Sequence, residues 1–233
     1  METGVAPSAS DARDRIGEVE RRLRDAYGTK RWRRHGDPLS ELVSTVLSQH
    51  TSDLNTARAF LSLRARFPSW EAVRTAPTAH VEEAIRSGGL ARIKATRIQR
   101  ILDAVRSDRG ALSLDDLASM GLERARAFLL GLPGVGPKTA ACVLLFSLGL
   151  PALPVDTHVH RVALRLGLIP SGATAEAAHG LLEALVGGYR DRVYAFHMNA
   201  IAHGRAICRA RAPVCPACPL QECCDYFTRT RRD

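Results

Sequence analysis

Five of the six cysteines fall in one short segment, as Cys208-x6-Cys215-x2-Cys218 followed by Cys223 and Cys224. A small secreted disulfide fold spreads its thiols along the chain, whereas thiols crowded together in this way read as a metal or cluster site. Four thiolates suit either a tetrahedral zinc or an iron-sulfur cluster. Either Cys223 or Cys224 completes a set of four with Cys208, Cys215 and Cys218. Zinc ribbons use two short pairs, and only one Cys-x2-Cys occurs here. Cys142, isolated in an apolar stretch, reads as packed core.

A second constellation is Leu132-Pro133-Gly134-Val135-Gly136-Pro137-Lys138-Thr139. A Walker loop places lysine directly after its last glycine, but Pro137 intervenes here and no strand leads in. A dinucleotide fingerprint requires a third glycine where Thr139 stands. What remains is a helix, a glycine hairpin and a second helix opened by Pro137. The amides of such a hairpin, with the positive end of the following helix, hold a phosphate without reading a base. An ordinary helix–helix turn is the plainer alternative.

The elements that must carry these residues are helical. Ile16, Val19, Leu23 and Tyr27 recur at helical spacing, as do Leu42, Val43, Val46 and Leu47 behind a cap at Ser40. Further helices are predicted over 53–65, 77–86, 92–106, 121–130, 138–148, 157–166, 174–187 and 190–203, and strand signals are nearly absent. Residues 1–14 are expected to be a disordered arm and the last, basic residues a frayed end. The 233 residues carry 33 Lys and Arg against 24 Asp and Glu, a net charge of +9 that suits a polyanionic partner. No apolar run approaches the roughly 18 to 20 residues of a spanning helix, and no secretory signal opens the chain. An intracellular protein without membrane contact is expected.

The segment LPGVGPKTA, followed by Val155-Asp156-Thr157-His158-Val159 and Arg161, resembles the helix-hairpin-helix DNA glycosylases, closest to their endonuclease III branch. Lys138 falls on that family's catalytic lysine and Asp156 on its catalytic aspartate. The cysteine order 6, 2, 5 and His203-Gly204-Arg205 before Cys208 are similar to the family's cluster loop. The resemblance therefore implies a [4Fe-4S] cofactor on Cys208, Cys215, Cys218 and Cys224, and selects Cys224 over Cys223. Arg205, Arg209 and Arg211 would make that loop a basic surface for positioning on DNA. Read without the family, Lys138 is a solvated first-turn residue and Asp156 only caps a helix starting at Thr157.

In the family a helix end reading LSxQxT and a Gly-Leu loop fill the gap left by an extruded base. Here those stretches are Leu47-Ser48-Gln49-His50-Thr51 and Gly88-Gly89-Leu90. His50 takes the usual glutamine position, Gln49 stands one residue early, and Ala91 follows the wedge where an aromatic is usual. Leu90 is read as the wedge or as core, and Arg92, Lys94 and Arg97 as a phosphate-facing strip or a solvated helix face. His158 and His160 lie on different helix faces and do not form a metal pair. Trp32 and Trp70 read as core or domain-contact residues.

The implied fold is all-α, a helical barrel domain over 31–150 ending in the hairpin and a cluster domain formed by 1–30 and 151–233, with a DNA-binding cleft between them. DNA-binding residues are Gly134, Val135, Gly136, Lys138, His50, Leu90 and Arg205. The implied activity is base excision repair by a monomer, cytoplasmic and nucleoid-associated if bacterial. It removes oxidised pyrimidines from double-stranded DNA and cleaves the abasic site by β-elimination through a Lys138 Schiff base. The alternatives are a catalytically weak DNA-scanning protein and a monofunctional glycosylase. The related adenine glycosylase lacks the lysine and carries a further C-terminal domain, whereas this chain keeps Lys138 and ends nine residues after Cys224.

Overall fold

A computed structural model describes residues 9–231, in which helices are joined by short turns and no strand occurs. In chain order the helices are α1 (Ala9–Tyr27), α2 (Pro38–Ser48), α3 (Asp53–Arg66), α4 (Trp70–Thr75), α5 (Thr78–Ala84), α6 (Ala91–Arg109), α7 (Leu122–Gly131), α8 (Pro137–Cys142), α9 (Thr157–Leu166), α10 (Ala175–Val186), α11 (Arg190–Ala206) and α12 (Asp225–Thr230). The chain divides into two compact units, residues 34–150 and residues 1–33 with 151–233. Among the described residues no helix is long and apolar enough to cross a membrane.

In the unit of residues 34–150, α2 is the central element. Its residues Leu39, Leu42, Val43, Val46 and Leu47 are all buried, more than one stripe of the helix, and it packs against α3, α6 and α8. Its cap is Asp37 rather than Ser40: the Asp37 carboxylate accepts from the Ser40 amide at 2.8 Å. Pro38 decides this, because a proline at the first helical position puts the cap one residue before it. The predicted helix over 138–148 is α8 followed without a break by a π-turn over Val143–Ser147, where the Leu148 amide donates to the Val143 carbonyl at 3.2 Å. One residue is thereby added to the ring of an apolar segment whose members are all buried. Helix α4 is absent from the sequence reading because six residues with one buried side chain, Val73, are too short for a periodicity. The Ser69 hydroxyl caps it, accepting from the Ala72 amide at 3.1 Å.

In the other unit, α1 buries Ile16, Val19 and Leu23 and packs on α10 and α11. The helix begins at Ala9, so the arm expected over 1–14 is helical from there, and residues 1–8 lie outside the described part. Arg15 donates to Asp225 and to the Leu166 carbonyl, both at 2.7 Å, and Arg22 donates to the Pro219 carbonyl at 3.0 Å. These bonds tie α1 to α12 and to the cysteine loop. The chain end expected to fray is therefore helical through Thr230, with residues 232 and 233 outside the described part. The two tryptophans are not deep core: Arg190 lies over the Trp32 ring at 4.2 Å and Arg64 over Trp70 at 4.8 Å, each ring half-exposed under its guanidinium.

Candidate functional site

The hairpin leaves α7 and enters α8 through a turn that two residues pin to the interior. Leu132 and Val135 are 4% and 6% exposed, and the Val135 amide donates to the Leu132 carbonyl at 3.2 Å. Val135 thus closes the turn, and the outward-facing surface falls to Gly134 and Gly136, both exposed. Gly134 has φ +75°, which favours glycine, and a β-carbon there would displace the Arg97 side chain that packs over it at 2.7 Å. Pro137 opens α8, and Lys138, its second residue, is half-exposed.

Asp156 caps α9, its Oδ1 accepting from the amides of His158 at 2.9 Å and Val159 at 2.8 Å. Both bonds fall on one oxygen, and Oδ2 is left out of the cap. The segment before it is held by two buried histidines that the sequence reading passed over. His179 donates from Nδ1 to the Ala175 carbonyl, and its Nε2 accepts from the Val155 amide at 3.2 Å. That pairing requires the neutral ring. His197 Nδ1 bonds the Pro154 carbonyl at 2.8 Å. On α9, Arg161 donates to the carbonyls of Gly204 at 2.8 Å, Cys208 at 2.9 Å and Thr157 at 3.3 Å, and contacts His158 Nδ1 at 3.1 Å. A β-carbon on Gly204 would meet that of His158 at 2.9 Å. The aspartate motif and the His203-Gly204-Arg205 motif are therefore a single packed unit. His160 turns elsewhere, to the Ala173 carbonyl at 2.8 Å.

Cys208, Cys215, Cys218 and Cys224 line one small cavity together with His203, Arg165 and Tyr226. Cys223 is not part of its lining and donates to the Leu220 carbonyl at 3.4 Å. Among the described residues no three His, Cys, Asp or Glu side chains stand together as ligands of one metal ion. The donors around the sulfurs are those a thiolate set uses: the Arg165 guanidinium on Cys208 Sγ and the Leu220 amide on Cys218 Sγ, each at 3.4 Å. Burial pushes the Cys218 thiol up to about 11 and the Cys224 thiol in the same direction. Arg205, Arg209 and Arg211 are exposed beside the loop.

The chain matches the family model described as HhH-GPD superfamily base excision DNA repair protein over residues 43–187. It is 34% identical over 193 residues to endonuclease III of Thermotoga maritima, covering 83% of this chain and 85% of that one. The chain belongs to the HhH-GPD superfamily. A protein of Arabidopsis thaliana named as a DNA glycosylase is 45% identical over 135 residues, which cover 58% of this chain and 46% of that protein. The structure of a trapped endonuclease III–DNA covalent intermediate superposes with a TM-score of 0.78 at 29% identity, over 94% of this chain and 99% of that one. The all-α fold of this HhH-GPD protein is thus that of its relatives.

Two charged side chains of the HhH-GPD protein lie deeper than the charge pattern alone predicts. Lys94, read as part of an exposed basic strip, is 2% exposed. Its ammonium donates to the Leu47 carbonyl and Thr51 Oγ1 at 2.7 Å and to the Gly88 carbonyl at 2.8 Å. Three acceptors compensate the buried charge, which is why it faces inward. Gln49 is also engaged, its Oε1 accepting from Arg97, so the exposed tip of that segment is His50, at φ 53°. Leu90 is 53% exposed with φ 49°, which makes it a protruding residue and not core.

The second is Glu41 on α2. Burial pushes its carboxyl up to about 7, while the Thr45 hydroxyl and the charge of Lys138 act the other way. The unfolded carboxyl ionises near 4.5, so the folded state keeps the proton longer and loses stability as pH rises from about 4.5 to about 7. Glu41→Gln is therefore expected to raise stability by on the order of 1–3 kcal/mol above neutral pH, with little effect near pH 4. Melting temperatures of the two proteins across that range measure it, and an unchanged difference at both ends contradicts the burial.

Proposed function

We propose that the protein is a bifunctional DNA glycosylase and abasic-site lyase that acts on damaged bases, oxidised pyrimidines first, in double-stranded DNA. The observation that carries this is the pair of one-sided residues. Lys138 stands in the first turn after the hairpin, and Asp156 offers a carboxylate oxygen beyond its cap. Gly134 and Gly136 hold the DNA backbone through their amides, with Arg205 adding a phosphate contact and His50 and Leu90 entering the stack.

The Lys138 amine, unprotonated, attacks C1′ of the extruded nucleotide and the glycosidic bond breaks, releasing the base. Asp156 stabilises the positive charge that develops on the sugar and takes the proton lost by the lysine. The resulting iminium makes C2′–H acidic. Loss of that proton expels the 3′ phosphate, and water hydrolyses the imine to restore the amine. All bonds made to the enzyme are broken again, so the cycle closes.

The four-cysteine cavity is proposed to hold a [4Fe-4S] cluster, which fixes the loop carrying Arg205, Arg209 and Arg211. No step at the sugar passes through it. Cys224→Ser should lower the iron content from about four per chain and bleach the visible absorbance, whereas Cys223→Ser should leave both unchanged. Equal iron in the two variants would remove Cys224 from the ligand set. A monomer inside the cell, beside its DNA, is the setting this chemistry implies. The function is tested by incubating the protein with a duplex bearing one oxidised pyrimidine: free base and a cut strand are expected, and tight binding with neither overturns the proposal.

A further inference from the structure

The two exposed tips of the 34–150 unit, His50 and Leu90, are held by one side chain. Both are non-glycine residues in the left-handed region, at φ 53° and φ 49°, a conformation kept only where the surroundings impose it. Between them the Lys94 ammonium bonds the end of α2 through the Leu47 carbonyl, the residue after His50 through Thr51 Oγ1, and the Leu90 loop through the Gly88 carbonyl. Thr51 Oγ1 also donates to the Gly88 carbonyl, closing the ring. Helix α6, which starts at Ala91, carries Lys94 and one turn later Arg97 on Gln49. No other buried lysine side chain occurs among the described residues, and a lysine is fully buried only where its charge is paired.

We propose that Lys94 is a positioning residue that locks the His50 tip and the Leu90 tip into one unit, so that both enter the base stack in a single step. The proposal rests on the glycosylase reading above. It makes base extrusion, and not the sugar chemistry, the step that depends on Lys94. If the tips were independent, loss of one would leave the other's contribution intact; locked together, the loss of the lock and the loss of a tip are the same loss.

Lys94→Met keeps the stem and removes the donors, and Thr51→Val removes one acceptor with less risk to folding. Single-turnover lyase rates are measured on an abasic site in duplex DNA and on the same site in a single strand, where no stack has to be opened. On the duplex, Lys94→Met should lose about 100-fold and Thr51→Val about tenfold, as expected of misplaced positioning groups and of one lost hydrogen bond to a charge. On the single strand both should match wild type within about twofold. Leu90→Ala should slow the wild type on the duplex and add little to Lys94→Met. Fluorescence of 2-aminopurine opposite the abasic site should rise with wild type and stay low with either lock variant. Equal losses on duplex and single strand, or effects of Leu90→Ala and Lys94→Met that multiply, would overturn the proposal. Should Lys94→Met fail to fold, Thr51→Val decides between the same outcomes. A wild-type protein inactive on both strands would defeat the lyase reading itself, and this proposal with it.

Discussion

Lys138→Gln should leave a protein that folds and binds damaged duplex but neither releases a base nor cuts an abasic site. The amide has no nucleophilic lone pair, so the step that forms the bond to C1′ disappears outright, and a loss of at least about 10³-fold is expected. Lys138 is half-exposed and the hairpin turn is closed by Val135 and Leu132, so the fold should survive loss of the amine, with Glu41 losing one nearby positive charge. Affinity should fall by less than about tenfold, the effect of one phosphate-facing charge among several. Single-turnover kinetics beside a titration of the same duplex separate the two. A cutting rate within tenfold of wild type would take Lys138 out of the chemistry.

Asp156→Asn should slow base release by about 10² to 10⁴-fold with almost no change in stability. Asparagine caps a helix as well as aspartate does, so the bonds from the His158 and Val159 amides survive the substitution. What is lost is the negative charge, and with it the stabilisation of a cationic sugar and the acceptor for the lysine proton. Asp156→Ala removes the cap too and should cost about 1 kcal/mol more in stability than the asparagine variant. Comparing the two by thermal melting and by base-release rate separates the cap from the chemistry. If the asparagine variant melts lower but reacts normally, Asp156 is a cap alone.

The parts of the site legible in the sequence are those whose chemistry fixes residue type and spacing in one continuous stretch: the cysteine loop, the hairpin before Lys138 and the segment from Val155 to Arg161. Each is local in residue type and spacing, although the segment from Val155 to Arg161 is held by His179, His197 and Gly204 from α10 and α11. Lys94 and Glu41 were missed because a charge earns its place indoors through neighbours distant in sequence. A trace of Lys94 was nevertheless present, since it stands on the same helix face as Ile98, Ile101, Leu102 and Val105, all buried. A lysine on an apolar stripe is a signal of a buried cation with acceptors waiting. At the start of α2 both Ser40 and Asp37 are capping residue types, and Pro38 at the first helical position decides for Asp37. Helix α4 and the π-turn after Cys142 depend on packing, which no window of sequence contains.

In the proposed reaction Lys138 forms a covalent bond to the sugar. The most direct measurement is to mix the purified protein with a duplex carrying one abasic site and add borohydride, which reduces an imine to a permanent amine link. A protein–DNA adduct is expected, with the modified peptide containing Lys138 and no adduct from Lys138→Gln. Intact binding with no adduct and no cut strand would contradict the claim and leave a protein that scans DNA without acting on it.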